Sequence, residues 1–128
     1  MKLLNPESLP KSPTMSWGVV AGGMIYSAGI VSMDSGGTPI HAGDAEAQAN
    51  RILDIVEAIL AEAGASKENI VKMICFAVTT DAARGYVGAR KARFPGHPAA
   101  TTVICSELLH PDYLLEVEFI AQVPGTGD

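Results

Sequence analysis

The chain is short of cysteine and of positive charge. Two cysteines, Cys75 and Cys105, occur among 128 residues, thirty positions apart. No Cys-x-x-Cys spacing and no local histidine pair accompanies them, which excludes a disulfide scaffold and the usual zinc arrangements. Both are expected as reduced core residues. A nucleophile would need a positioned base or a lowered thiol pKa, and the sequence shows neither around Cys105. Nine Lys and Arg stand against fourteen Asp and Glu, a formal net charge of −5. A nucleic-acid binder needs clustered positive charge to displace counterions, so no nucleic-acid partner is expected. The densest basic run holds Arg84, Arg90, Lys91 and Arg93. It reads either as a solvated helix face or as a local anion site.

Internal repeats and low-complexity linkers are also missing. Charge is absent from Met15 to Met33, a stretch about long enough to cross a bilayer. It contains Gly18, Gly22, Gly23, Gly29 and three serines, which favours strand, turn, strand: Gly18–Ala21, a Gly22-Gly23 turn, then Met24–Val31. The start Met-Lys-Leu-Leu-Asn-Pro is too short and polar for a secretory signal. A cytoplasmic protein with no membrane partner is expected.

What is present suits one compact domain over residues 1–128, with 48% of residues apolar and roughly two-thirds of the chain's surface buried on folding. Residues 1–14 carry Pro6, Pro10 and Pro13 and read as an irregular arm, and 124–128 as a flexible tail. Asp44 can cap a helix from about Ala45 to Ala63, with Ile52, Leu53, Val56, Ile59, Leu60 and Ala63 on one stripe and Gly64 ending it. Ile70–Thr79 is rich in branched and aromatic residues and reads as a buried strand. Thr80 or Asp81 can cap a second helix from Ala82 to about Arg93, which Pro95-Gly96-His97-Pro98 breaks. Ala99–Cys105 and Leu114–Val123 complete a β-β-α-β-α-β-β order: an α+β domain with one mixed sheet and two helices on one face. In the last strand Leu115, Val117, Phe119 and Ala121 alternate with Leu114, Glu116, Glu118 and Ile120. The second set, two carboxylates among apolar residues, suits a subunit interface containing a polar site, or a solvated face.

Several motifs, in this order, resemble one known family. Gly22-Gly23-Met24-Ile25-Tyr26-Ser27-Ala28-Gly29 is similar to its glycine-led hydrophobic strand ending in Ser-Gly. Asp44 to Gly64, with Gln48 early and Glu62-Ala63-Gly64 last, resembles its first helix. Asn69-Ile70-Val71-Lys72 followed by Phe76 resembles its central strand, and His97-Pro98-Ala99-Ala100 stands where it has Pro-Ala-Arg. Leu115-Glu116-Val117-Glu118-Phe119-Ile120-Ala121 resembles its closing strand. The chain is thereby identified, over about residues 13–123, as resembling the RidA (YjgF) family. The resemblance implies a chorismate-mutase-like fold and a homotrimer whose sheets pack into a barrel-like core, with small-molecule clefts at the subunit interfaces. It implies hydrolysis of reactive imines and enamines, with no cofactor.

Residue by residue, the resemblance places the family's water-positioning glutamate on Glu116. Its carboxylate-gripping arginine, a bidentate partner that lysine does not reproduce, falls on Ala100. Its N-terminal tyrosine falls on Met15, with Trp17 as a replacement in volume. Its serine falls on Ala28, its following glycine on Gly29, and a second-helix asparagine on about Val87. Thr101 and Thr102 could offer hydroxyls to a ligand, and Arg84, Arg90 and Arg93 are candidates for the missing cation. Glu116 and Glu118, roughly 7 Å apart at i, i+2, could work as an acid–base pair or serve as ion-pair partners at an interface. His41, His97 and His110 lack metal-ligand spacing, and no metal is expected. The leading expectation is a hydrolytic deaminase of a small imine, enamine or conjugated amino acid of aminomuconate type. The alternative is a non-catalytic trimeric module that binds a metabolite or partner. Endoribonuclease activity, known among relatives, fits an acidic chain poorly.

Overall fold

A computed structural model of the protein describes residues 1–125. Six strands form one sheet in the order β1-β2-β3-β6-β4-β5. In chain order these are β1 (Lys2–Leu4), β2 (Gly18–Ala21), β3 (Met24–Ser27), helix α1 (Ala45–Glu62), a short 3₁₀ turn (Lys67–Asn69), β4 (Ile70–Ala77), helix α2 (Thr80–Arg93), β5 (Ala100–Cys105) and β6 (Leu115–Gln122). The β4–β5 pair is parallel and the other pairs are antiparallel. The mixed α+β architecture with both helices on one face is as the sequence pattern predicts. Among the described residues no helix is long and apolar enough to cross a membrane.

The N-terminal arm departs from expectation. Residues 2–4 form β1, paired with β2 through Lys2↔Val20, Leu3↔Val19 and Leu4↔Gly18. Proline spacing hides so short a strand, but Leu4 is 1% exposed and anchors it. Gly18 makes the approach possible, because a Cβ there would stand 3.0 Å from Ile59 and 3.3 Å from Leu4. The expected flexible tail falls mostly on residues 126–128, outside the described residues; Pro124 and Gly125 form a turn.

Helix α1 begins where predicted, with the Asp44 carboxylate accepting from the Ala47 N–H. Its stripe Ile52, Leu53, Val56, Ile59 and Leu60 is buried, together with Gln48 and Ile55. Helix α2 starts two residues before the predicted Ala82, because the Thr79 hydroxyl accepts from the Ala82 N–H and serves as the cap instead of Thr80 or Asp81. Strand β6 alternates as expected. Leu115, Val117, Phe119 and Ala121 are buried under the helices, while Glu116, Glu118 and Ile120 point to the open face. Cys75 lies in the core, but Cys105 is exposed in the single chain. It sits on β5, an edge strand exposed along its whole length, so the expectation of two core cysteines holds for Cys75 alone.

Strand β3 stops at Ser27 instead of continuing to Val31. Tyr26 pairs with Ile120, and the ladder resumes as a single bridge between Ile30 and Val117. From Tyr26 to Ile30 is four steps, and from Ile120 to Val117 is three. One extra residue is therefore accommodated on the β3 side, the definition of a β-bulge. The Ser27 hydroxyl stabilises it by accepting from the Phe119 N–H at 2.8 Å and donating to the Ala28 carbonyl at 2.8 Å. The bulge resets the alternation: Tyr26 faces the open side, whereas Ile30 is fully buried. Its residue Gly29 lies against the Glu116 carboxylate.

Candidate functional site

Gly29 and Glu116 share one small space. A Cβ built on Gly29 would lie 2.1 Å from Glu116 Oε2 and 3.0 Å from its Cδ. Gly29 has no left-handed backbone that would require glycine. Its function in the structure is to leave room for a carboxylate. Burial of Glu116 pushes its carboxyl above the ordinary value, and the Glu118 charge on the same strand face adds to this. Such a group is a better base than a solvated carboxylate and takes up a proton at higher pH. The charges of Asp112, Asp34 and Glu116 all act on Tyr113, whose phenol is raised first of all by burial. Tyr113 and Asp34 therefore belong to the same end of the sheet, and neither carried a local motif by which sequence reasoning could find it.

The other wall of Gly29 opens on a cavity of about 230 Å³, also lined by Met15, Trp17, Ala28, Met33, Pro10 and Lys11. Its largest wall is fixed. The Trp17 indole N–H donates to the Pro10 carbonyl at 2.7 Å, and the Trp17 backbone N–H donates to Asn5 Oδ1 at 3.3 Å. Asn5 in turn donates to Ser16. Trp17 is thus pinned by the arm that follows β1, while Met15 is exposed at the rim.

Gln48 holds the loops around this end. Fully buried in α1, it donates to the carbonyls of His41 (3.1 Å) and Asp112 (2.9 Å) and accepts from the Leu114 N–H (2.9 Å). One side chain therefore fixes the segment on either side of Tyr113 and the entry into β6 just before Glu116. Arg51, one turn further on, donates to the Met33 carbonyl at 2.7 Å and secures the cavity's far wall.

The family model described as Endoribonuclease L-PSP matches residues 9–123. The chain belongs to this family, that of the RidA/YjgF proteins. Its fold is similar to that of the Escherichia coli YjgF gene product, at 28% identity over 95% of this chain and 98% of that one, with a TM-score of 0.83. The E. coli protein TdcF, solved with bound serine, is 25% identical over 95% and 98% of the two chains, with a TM-score of 0.84. A candidate endoribonuclease from Thermotoga maritima is 25% identical over 98% and 99%, with a TM-score of 0.88.

Within the RidA/YjgF fold, the predicted site residues separate into two groups. Glu116, Gly29, Met15, Trp17 and Ala28 gather as described. Ala100, Thr101, Val87 and Arg90 lie elsewhere on the same chain. Ala100 is in register with Lys72, and Lys72 with Ile120, four residues along β6 from Glu116. Two strand spacings sideways and four residues along place Ala100 roughly 16 Å from Glu116. One small ligand does not span that distance within one chain.

Ala100 and Thr101 also point to opposite faces. Thr102, on the same side as Ala100, accepts from Lys72 Nζ on the open face. Thr101 accepts instead from Arg90 of α2, on the helix side, and Arg90 donates a second bond to the Ala99 carbonyl. Arg90, Thr101 and Val87 line a separate open cavity of about 330 Å³ with Tyr86 and His97.

The other candidate cations are engaged in structure. Arg84 pairs with Asp81 on an exposed turn of α2. Arg93 bridges to Asp54 (2.8 Å) and Glu57 (2.6 Å) of α1 and donates to the Asn50 carbonyl. It is a clamp between helices. His97 reaches the Ile70 carbonyl at 2.9 Å, and His110 Nδ1 accepts from the Asp112 N–H. Among the described residues, no three His, Cys, Asp or Glu side chains converge as a metal site.

Proposed function

We propose that the protein is a hydrolytic deaminase acting on a small imine, an enamine or a conjugated amino acid of aminomuconate type. The observation that carries this reading is the Glu116 carboxylate seated in space that only glycine at position 29 leaves. A half-buried carboxylate with a raised pKa, beside a preformed cavity, is suited to orient a water and accept its proton. The water oxygen bonds to the C=N carbon while the π pair moves to nitrogen, giving a carbinolamine. The proton held by Glu116 completes the carbinolamine nitrogen; Glu116 then takes the hydroxyl proton and passes it to nitrogen as the carbonyl forms and the C–N bond breaks, so that ammonia and a carbonyl compound leave.

The same reading includes a homotrimer, in a cytoplasmic setting, with clefts between subunits. Supporting it, the open sheet face carries Tyr26, Ile74, Phe76, Ile104 and Ile120, and no helix covers that face. Assembly would also bring the Ala100 strand of one subunit near the Glu116 of another, which a single chain cannot do. The reading is tested by ammonia release from a panel of imines and aminomuconates, with Glu116→Ala as control. Glu116-dependent turnover is the expected result, and its absence across the panel refutes the enzyme. The alternative, a non-catalytic metabolite-binding trimer, draws support from TdcF, whose structure contains serine. It predicts ligand-dependent rises in melting temperature without turnover.

A further inference from the structure

We propose that Lys11 is the carboxylate anchor of the Gly29 cavity, and that the ligand it selects is a small monocarboxylate with a flat, conjugated apolar body. The inference rests on the reading of this cavity as the ligand site. The arginine expected at position 100 is an alanine, Arg90 and Arg93 of α2 are held by Thr101, Asp54 and Glu57, and Arg84 does not line this cavity. Lys11, in contrast, lines the cavity itself.

Its present contacts are loose. Nζ lies 3.4 Å from the Asn5 carbonyl and 3.8 Å from a Glu7 carboxylate that is 97% exposed. Exposed ion pairs of this kind hold weakly, so an incoming carboxylate can replace Glu7 at little cost. The backbone of Lys11 is well placed for this. The preceding residue, Pro10, accepts the Trp17 indole N–H, which fixes the start of the lysine side chain beside the indole. Pro13, two residues on, restricts the segment further.

The lining then defines the rest of the ligand. Trp17, Met15, Met33 and Ala28 present a flat aromatic face and two polarisable thioethers, surfaces that favour planar unsaturated groups. About 230 Å³ suits a molecule of metabolite size. Charge sets its direction. Glu116 makes the Gly29 end repel a carboxylate, and Lys11 attracts one. A monocarboxylate therefore lies with its acid group at Lys11 and its other end toward Glu116. A second carboxylate would have to approach Glu116, which disfavours dicarboxylates and narrows the proposed substrates to imines and enamines with one carboxylate, leaving out the aminomuconates.

Trp17 is the single tryptophan of the chain, so its fluorescence reports binding without any turnover. The probes are sorbate, a conjugated monocarboxylate, its neutral amide sorbamide, and the dicarboxylate muconate, titrated into the full-length protein. Sorbate should bind saturably, and sorbamide and muconate about tenfold more weakly, the scale of one hydrogen bond to a charged group. Lys11→Met should remove the preference for sorbate over sorbamide, and Lys11→Arg should retain it. Sorbate affinity unchanged in Lys11→Met, equal binding of sorbate and its amide, or no sorbate binding at all would each overturn the proposal. Lys11-dependent sorbate binding alongside no ammonia release from any imine would leave the anchor standing and remove the deaminase. Glu116-dependent ammonia release with Lys11-independent binding would do the reverse.

Discussion

Replacing Gly29 with alanine isolates the contact on which the proposed chemistry depends. The new Cβ would fall 2.1 Å from Glu116 Oε2, whereas real Cβ contacts essentially never come below 3.0 Å. The carboxylate must therefore retreat by at least 3.0 − 2.1 = 0.9 Å. The backbone has no reason to object, since Gly29 is not in the left-handed region. An alanine at such a site stabilises by about 0.4–1 kcal/mol through the unfolded chain. Pushing Glu116 off its preferred rotamer costs about 0.5–1.5 kcal/mol. The two nearly cancel, so the variant should melt within about 5 °C of the parent. Activity should respond quite differently. Misplacing a catalytic group by about 1 Å can cost on the order of 100-fold, or about 2.7 kcal/mol of transition-state stabilisation. The assay is kcat/KM for ammonia release in the parent, Gly29→Ala, Glu116→Ala and the double variant. If Gly29 acts through Glu116, the glycine substitution should add almost nothing once the glutamate is gone. Full activity in Gly29→Ala, or an equal loss with and without Glu116, would refute the argument.

Four further outcomes follow from the same contacts. Because the folded-state pKa of Glu116 is raised, by burial and then by Glu118, its contribution to stability is full below the unfolded pKa and is lost as pH rises through the folded value. Glu116→Gln should therefore raise the melting temperature at pH 7 and confer no gain in acid below the ordinary carboxylate range. Glu118→Gln removes the second cause of that shift, so the acid limb of the pH–rate profile should move to lower pH; a stationary limb would count against the pairing. Gln48→Leu keeps apolar volume but leaves the Asp112 and His41 carbonyls and the Leu114 N–H without their partner, and urea titration should show a loss of about 3 kcal/mol. Under native conditions a thiol reagent should spare Cys75, which is fully buried and whose thiol is pushed up to about 12, and should reach it only on denaturation.

Periodicity made the helices and the last strand legible. Leu115 to Ala121 alternates so regularly that its two faces could be assigned from sequence, and the fold places them accordingly. The Ile52–Leu60 stripe likewise marked the buried side of α1. Patterning was blind where a side chain does the work of backbone. At Ser27 a hydroxyl replaces a ladder carbonyl and the strand bulges, so the apolar run to Val31 reads as continuous strand when it is not. Gln48 is a polar residue at a core position; two of its three loop contacts span more than sixty residues and leave no local trace.

The site was legible in part for the same reason. Glu116 could be placed because strand alternation and family resemblance pointed to one residue. Gly29 could be placed by resemblance, but the reason for a glycine appears only with the Glu116 carboxylate that stands where its Cβ would be. The basic residues are densest on α2, and sequence alone points there for a replacement cation. Density proved a poor guide, because Arg93 and Arg90 close helix–helix and helix–strand contacts of their own fold and Arg84 pairs within its own helix. Lys11 is isolated, sits among prolines, and lies far in sequence from both Gly29 and Glu116. What makes it a candidate is a relation no spacing encodes: the carbonyl before it is the acceptor that pins Trp17. A cation carried by the same segment that builds the cavity wall can replace an arginine lost from a distant strand, and in this chain the wall and the charge come together.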